Sequence, residues 1–433
     1  MTWKKRRIAT FTFLAFALLL GLWLAARHQV QLEQADGAPN TAAAQASRPS
    51  ASLALNPTAL PTAPSTRPTP PSAPLTERER RWQERDRAWC DQGTQVTAGA
   101  SRKGPSSESA ERISEALEKE QRVAWADLTR EWEQTLRAQA DPASQATAET
   151  LWMVRNRGAD TAAVVDRLTD LAQRTRLPYV VGLAAQSACW SSHTDPKCQA
   201  ALKIWLEVEP HNLQALQYSP PERNAEPAAV HLYMDRLMTA RESRNPQVEF
   251  IQRLWNLEGD LPPGLRRTTR SVGLIGLWAA TQAGRWSALT GLCKSLSARG
   301  GDPHRCGEVA DHLWPLLRRN AFDETLLLAL ARTAPSRSTD WAARAEETEA
   351  RTQWATHEFI EQSQPWIEQD LACHSASPMQ DYARDLFMQG EIAALNARMP
   401  RDPAARAALA KRFRDKRGRG LLENPASGGG AGR

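Results

Sequence analysis

Six cysteines are the residues of this chain best suited to covalent or metal bonding: Cys90, Cys189, Cys198, Cys293, Cys306 and Cys373. Cys189 and Cys198 bracket the segment WSSHTDPK, and Cys293 and Cys306 bracket KSLSARGGDPHR. Both inserts are turn-forming, so each pair falls where one helix ends and the next begins, close enough for a disulfide bridge. Closing loops of this size stabilises a fold by about 3 kcal/mol in the chain-entropy model. Cys90 and Cys373 remain. Their pairing would tie the first helix to the C-terminal region, but sequence alone does not choose among the possible connectivities. Zinc is the competing chemistry, because His193 lies near Cys198, and Cys293, His304, Cys306 and His312 form a loose group. Zinc sites are normally built on closely spaced cysteine pairs, and the chain has no C-x-x-C. His357-Glu358 begins like a zincin helix and lacks the second histidine. Cys373-His374 lacks the first cysteine of a haem attachment site. With no G-x-S-x-G, S-x-x-K, Walker or G-x-G-x-x-G segment either, we expect no metal, no cofactor and no catalytic constellation.

Three carboxylates sit in apolar text: Asp235 in HLYMDRLM, and Glu308 and Asp311 in CGEVADHLW. A buried carboxyl with a raised pKa is the usual general acid on a polysaccharide. On a helix such residues fall on the polar face as readily as on the apolar one, and surface or capping roles are the expectation. The fourteen tryptophans beyond residue 26 are the most distinctive feature of the composition. Trp125, Trp132, Trp152, Trp205, Trp255, Trp278 and Trp314 occupy apolar positions of helical patterns, which points to packing between helices. The other reading is a concave surface whose exposed tryptophans anchor a partner. The basic stretch Lys411–Arg419, KRFRDKRGR, is expected to be a solvated, fraying helix end. Its alternative role is contact with anionic lipid head groups or wall polymers through charge.

The elements that carry these residues are helices throughout. Ala, Leu, Arg, Glu and Gln dominate after residue 76, β-branched residues are thin, and no segment alternates with period two. Thr76 is placed to cap a helix reaching about Cys90, with Trp82 and Trp89 seven residues apart on one face. A Gly- and Ser-containing gap is expected over residues 92–106, followed by one long helix from Ser107 to Ala140. Beyond it, X-Pro and Gly joints recur every 10–30 residues: Asp141-Pro142, Leu177-Pro178, Asp195-Pro196, Asn245-Pro246, Gly300-Gly301 and others. The reading is all-α: an irregular helical-hairpin array, a solenoid or a bundle. Ile204 to Leu216, IWLEVEPHNLQAL, resembles the junction between two tetratricopeptide repeats. Trp205 stands where that pattern has a small residue, Leu206 and Val208 take its apolar positions, Pro210 its turn proline, and Asn212 and Ala215 open the next repeat. No 34-residue period continues the match in either direction. The resemblance implies helical hairpins and groove-type binding of protein partners.

The net charge of +6 is concentrated at the ends: residues 1–7 carry +4 and residues 411–433 carry +5, which leaves −3 for the rest. A mildly acidic body offers no nucleic-acid face. Ile8–Ala26 is an uncharged apolar run long enough to span a bilayer, preceded by four cations, which should remain cytoplasmic. The run is longer than a cleaved signal usually carries and ends poorly for a signal peptidase, so an uncleaved anchor is expected. Residues 27–76 are rich in Pro, Ala, Ser and Thr and read as a disordered linker. The expected organisation is a basic head (1–7), a transmembrane anchor (8–26), a linker (27–76), an α-helical periplasmic domain (77–418) and a disordered tail (419–433). Even cysteine usage beyond the anchor fits an oxidising compartment. The expectation is a single-pass protein of a bacterial inner membrane. Its partners would be the bilayer, through residues 8–26, and proteins of the cell envelope, which it would scaffold without catalysis. The alternative is an envelope hydrolase or lyase using one carboxylate.

Overall fold

A computed structural model describes residues 76–423, apart from short stretches at 102–106, 157–160, 191–194, 219, 223–224, 283–286, 318 and 334–338. The apolar run 8–26 and the linker up to residue 75 lie outside the described residues. Within them no helix is long and apolar enough to cross a membrane.

The described chain is helical: α1 Glu77–Ser101, α2 Ser107–Arg137, α3 Pro142–Arg155, α4 Ala162–Thr175, α5 Pro178–Ala188 and α6 Pro196–Val208. There follow α7 Leu213–Leu216, α8 Pro227–Leu237, α9 Pro246–Asn256, α10 Leu265–Gln282, α11 Ser287–Ala298 and α12 His304–Leu313. The last group is α13 Ala321–Thr333, α14 Thr339–Gln353, a π-helical turn Trp354–Glu358, α15 Phe359–Leu371, α16 Pro378–Gln389, α17 Glu391–Asn396 and α18 Pro403–Arg417. Extended structure among the described residues is little more than an isolated bridge between Asn212 and Glu242.

The X-Pro joints have a local cause. Asp141, Asp195, Asn245, Ser377 and Asp402 each accept a hydrogen bond from a backbone N–H in the first turn of the following helix, and the proline stands at the start of that helix. The side chain satisfies an orphan donor while proline, which has no N–H to orphan, presets the helical φ. One expected joint moves. α1 does not stop near Cys90 but continues to Ser101, because Cys90 is bonded to Cys373 and Gly93 packs against the last turn of α15. A β-carbon at Gly93 would stand 1.9 Å from the Leu371 carbonyl oxygen, so only glycine permits that approach.

Neighbouring helices pack as antiparallel hairpins along α2–α6 and again along α12–α14. The array is not linear, however. α10 touches α1, α2, α9, α15 and α16, and α14 packs along α18. The buried residues divide into two cores. The larger draws on α1–α6, α9, α10 and the C-terminal helices, and the smaller on α7, α8, α11–α13 and the start of α14. Residues 204–216 span the passage from α6 to α7. Trp205 is fully buried there, and the neighbouring Gly182 of α5 lets Pro246 at the start of α9 approach closely: a β-carbon at Gly182 would stand 2.4 Å from the proline ring.

Candidate functional site

All six cysteines are bonded: Cys189–Cys198, Cys293–Cys306 and Cys90–Cys373, with Cα separations of 4.6, 6.0 and 5.4 Å. The first two clasp successive helices, and the third joins α1 to the turn after α15. Cys373 sits there at φ 56°, a left-handed conformation held by its surroundings. Next to it, Arg267 of α10 pairs with Asp370 and donates to the carbonyls of His374 and Ser375. Burial pushes the Asp370 carboxyl up, against the pull of Ser377 and Arg267.

The carboxylates singled out by their apolar neighbours lie on the surface. Asp235 and Glu308 both pair with Arg305, and Asp311 pairs with Arg344 at 2.9 Å; all three keep at least half of their side chain exposed. The deeply buried acids are others, which sequence did not distinguish. Glu324 is bonded to Arg351 and to the Thr348 hydroxyl, and Arg351 also reaches Asn396 and Glu347. Glu209 accepts from the Trp205 indole N–H at 2.7 Å and from Asn212 at 2.9 Å. Glu324 thereby ties α13 to α14 through Arg351, while Glu209 holds the joint at the end of α6. Arg270 of α10 is also fully buried, lying over the Trp255 ring at 4.1 Å and donating to the Gly259 carbonyl. Burial pushes its pKa down to about 10.

Trp132, Trp205, Trp255, Trp278 and Trp314 are core residues, as are Trp82, Trp89, Trp341 and Trp354, while Trp125 and Trp152 pack partly buried against the larger core. Trp190 is the one large aromatic among the described residues that is mostly exposed, at 69%. The tryptophans therefore fill the interior, and no Trp-lined groove is formed by those described. Loose histidine neighbours do not converge either: His312 meets the Ala240 carbonyl instead, and no group of three metal-binding side chains occurs among the described residues.

The basic stretch differs most from its expectation. Lys411–Arg417 does not fray: it forms the last turns of α18, with Phe413 buried. Lys411 pairs with Asp415, Arg412 with Glu358, and Arg414 with Glu349. The chain then reverses at Gly418, φ 69°, and residues 419–423, assigned above to a disordered tail, dock as a turn. The Leu421 N–H donates to Glu349 at 2.7 Å, the Gly420 N–H to Glu423 at 2.9 Å, and Leu421 and Leu422 pack on the smaller core. Burial raises the Glu349 carboxyl above its ordinary range.

This turn closes one side of a cleft between α11, α13 and the end of α18, with about 90 Å³ of interior space. Lys294, Arg332, Arg417 and Arg419 line it, and no carboxylate does among the described residues. Phe322, Leu326, Phe413 and Leu421 provide an apolar floor, with the hydroxyls of Thr290 and Thr325 beside them. Spacing along the sequence could reveal the cations of residues 411–419 but not Lys294 and Arg332, which the fold brings from more than 70 residues away.

Compared with known proteins, the chain matches no family model, no curated protein and no solved structure.

Proposed function

We propose that the protein is a membrane-tethered helical scaffold of the bacterial envelope, its folded body on the oxidising side of the inner membrane and its work done by contact with envelope partners rather than by catalysis. The observation that carries this reading is the bonding of all six cysteines into three disulfides. Disulfides persist in exported proteins and are rare where thiols are kept reduced. The uncharged run Ile8–Ala26 behind four cations supports the tether. The tetratricopeptide-like junction at residues 204–216 supports binding of protein segments by helical hairpins. The hydrolase alternative has little to draw on, since Asp235, Glu308 and Asp311 are exposed ion-pair partners.

The decisive experiment is peptide mapping, without reduction, of protein taken from its native membrane. We expect Cys90–Cys373, Cys189–Cys198 and Cys293–Cys306 to be oxidised on a chain that retains its N-terminus. Recovery of six free thiols would place the body on the reducing side and end this reading.

A further inference from the structure

We propose that Cys90–Cys373 is a redox switch: exchange with a protein dithiol opens this one bond of the three, and the end of α1 beyond it, residues 91–101, then unwinds. Access separates the three bridges. Cys189, Cys198, Cys293 and Cys306 are all buried, at 2% exposure or less, whereas Cys90 and Cys373 are both part-exposed. The rate of thiol–disulfide exchange depends on access to the sulfur, so a reductant reaches the part-exposed pair first. A thiolate of the dithiol attacks one sulfur of the pair, and the other sulfur leaves as a thiolate and takes up a proton. The second thiol of the dithiol then resolves the mixed disulfide. Two electrons and two protons pass to the protein, and the dithiol departs as a disulfide.

The two sides of the bond differ in what else holds them. Cys373 sits in a turn that Arg267 of α10 clamps through the carbonyls of His374 and Ser375 and the Asp370 carboxylate. That turn keeps its place without the bond. The first part of α1 is fixed as well. Arg78 and the Trp82 indole donate to Glu131 of α2, Arg85 pairs with Glu120 and Asp127, and Asp86 accepts from the Arg266 N–H. Past Cys90 the surroundings change: Asp91, Gln92, Thr94 and Gln95 are exposed, and Gly93 is buried against the Leu371 carbonyl. Residues 91–101, DQGTQVTAGAS, include two glycines, two threonines and a valine, all poor helix formers. A segment of that length and composition does not hold a helix alone. The cross-link supplies what local propensity lacks, because it pins the start of the segment to α15.

The inference rests on the envelope reading for the bond to form in the cell; the exchange itself is measured on purified, oxidised protein. The full chain in an uncharged detergent is exposed to dithiothreitol, quenched at intervals with an alkylating reagent and mapped by mass spectrometry. Cys90 and Cys373 should be alkylated at least about tenfold faster than the other four cysteines. With that pair reduced, the amides of residues 91–101 should lose their protection from hydrogen exchange, while those of residues 78–86 stay protected. Cys90→Ser with Cys373→Ser should show the same local loss with no reductant added, and a short exposure to dithiothreitol should add nothing to it. The reduced natural chain carries the test by itself where that variant fails to fold. Equal alkylation rates for the three pairs would overturn the proposal, as would protection retained over residues 91–101 after reduction. So would protection lost along all of α1, which would make the bond a support of the whole helix. Free thiols in the native peptide map would end the envelope reading and leave the selective exchange standing, so the two fail separately.

Discussion

In the larger core α1 meets the C-terminal helices, whereas the smaller core is built mostly from nearer neighbours, α7–α8 and α11–α13 with the start of α14. Cys90 bonds to Cys373 across 283 residues, while Cys293 and Cys306 are 13 apart. The larger core also runs through α10, a helix that carries buried Arg267 and Arg270 among five packing partners. In the smaller core the side chains are mainly leucines on α11–α13, and its disulfide merely clasps two successive helices. A core built from remote segments depends on cross-links and specific polar contacts, because each long-range contact has to offset a large loss of chain entropy. A core of hairpins gains its contacts locally and tolerates the loss of any one.

The largest expected effect tests that difference. Replacing Cys90 and Cys373 by serine should destabilise the protein by about 5 kcal/mol, against about 3 kcal/mol for the Cys293 and Cys306 pair, by loop length alone. Equilibrium denaturation of the two double variants decides it, and equal losses would break the comparison. Next is Arg351→Met. Glu324 and Arg351 are both 1% exposed, and α14, which carries Arg351, contributes to both cores. Leaving Glu324 buried without its partner should cost about 3–5 kcal/mol. We expect the same denaturation assay to show the two cores separating into distinct transitions; a single transition with a small shift would mean the pair does not couple them.

Asp86 sharpens the account of the hub. It lies on α1 and accepts from the Arg266 N–H at 2.9 Å, so it caps the N-terminus of α10 from another helix. Gly264, φ 150°, makes room for it: a β-carbon there would stand 2.4 Å from the carboxylate. Asp86→Ala should cost about 1 kcal/mol, the usual worth of a cap, and hydrogen exchange should rise first at the start of α10. Exchange unchanged there would assign the cap to other groups.

The smallest effect concerns pH. Arg167 and Arg137 outweigh burial and hold the Glu149 carboxyl below its ordinary value. A lowered folded pKa contributes stability that is present above the ordinary glutamate range and is lost as pH falls through the folded value. Glu349 has the opposite shift, so its contribution favours the fold at acid pH and declines as pH rises through its raised value. Glu149→Gln should therefore lower stability by about 1 kcal/mol at neutral pH and by less at pH 3, since the two arginines are half exposed. Urea midpoints at the two pH values measure this, and an unchanged gap would remove Glu149 from the acid response.

Much of this was readable beforehand. Asp141-Pro142, Asp195-Pro196 and Asn245-Pro246 mark helix starts because cap and proline act within one turn. The bridges Cys189–Cys198 and Cys293–Cys306 were visible because a short turn holds both partners. Helix packing for Trp132 and Trp205 followed from their apolar periodicity. The continuation of α1 past Cys90 was missed because its support comes from α15. The docked turn at residues 419–423 was missed because its partner, Glu349, lies more than 70 residues upstream, and a run of cations viewed alone resembles a solvated end.

Local chemistry, acting within a turn or two, is thus what the sequence determined by itself: an all-helical body, where most of its helices begin, and which side chains face inward. Tertiary structure decided which acids are neutralised, which helix is the hub, that Gly182 accommodates Pro246, and that Lys294 and Arg332 line one cleft with Arg417 and Arg419. Those outcomes depend on residues scores of positions apart meeting in space, and no periodicity along a single segment encodes such a meeting.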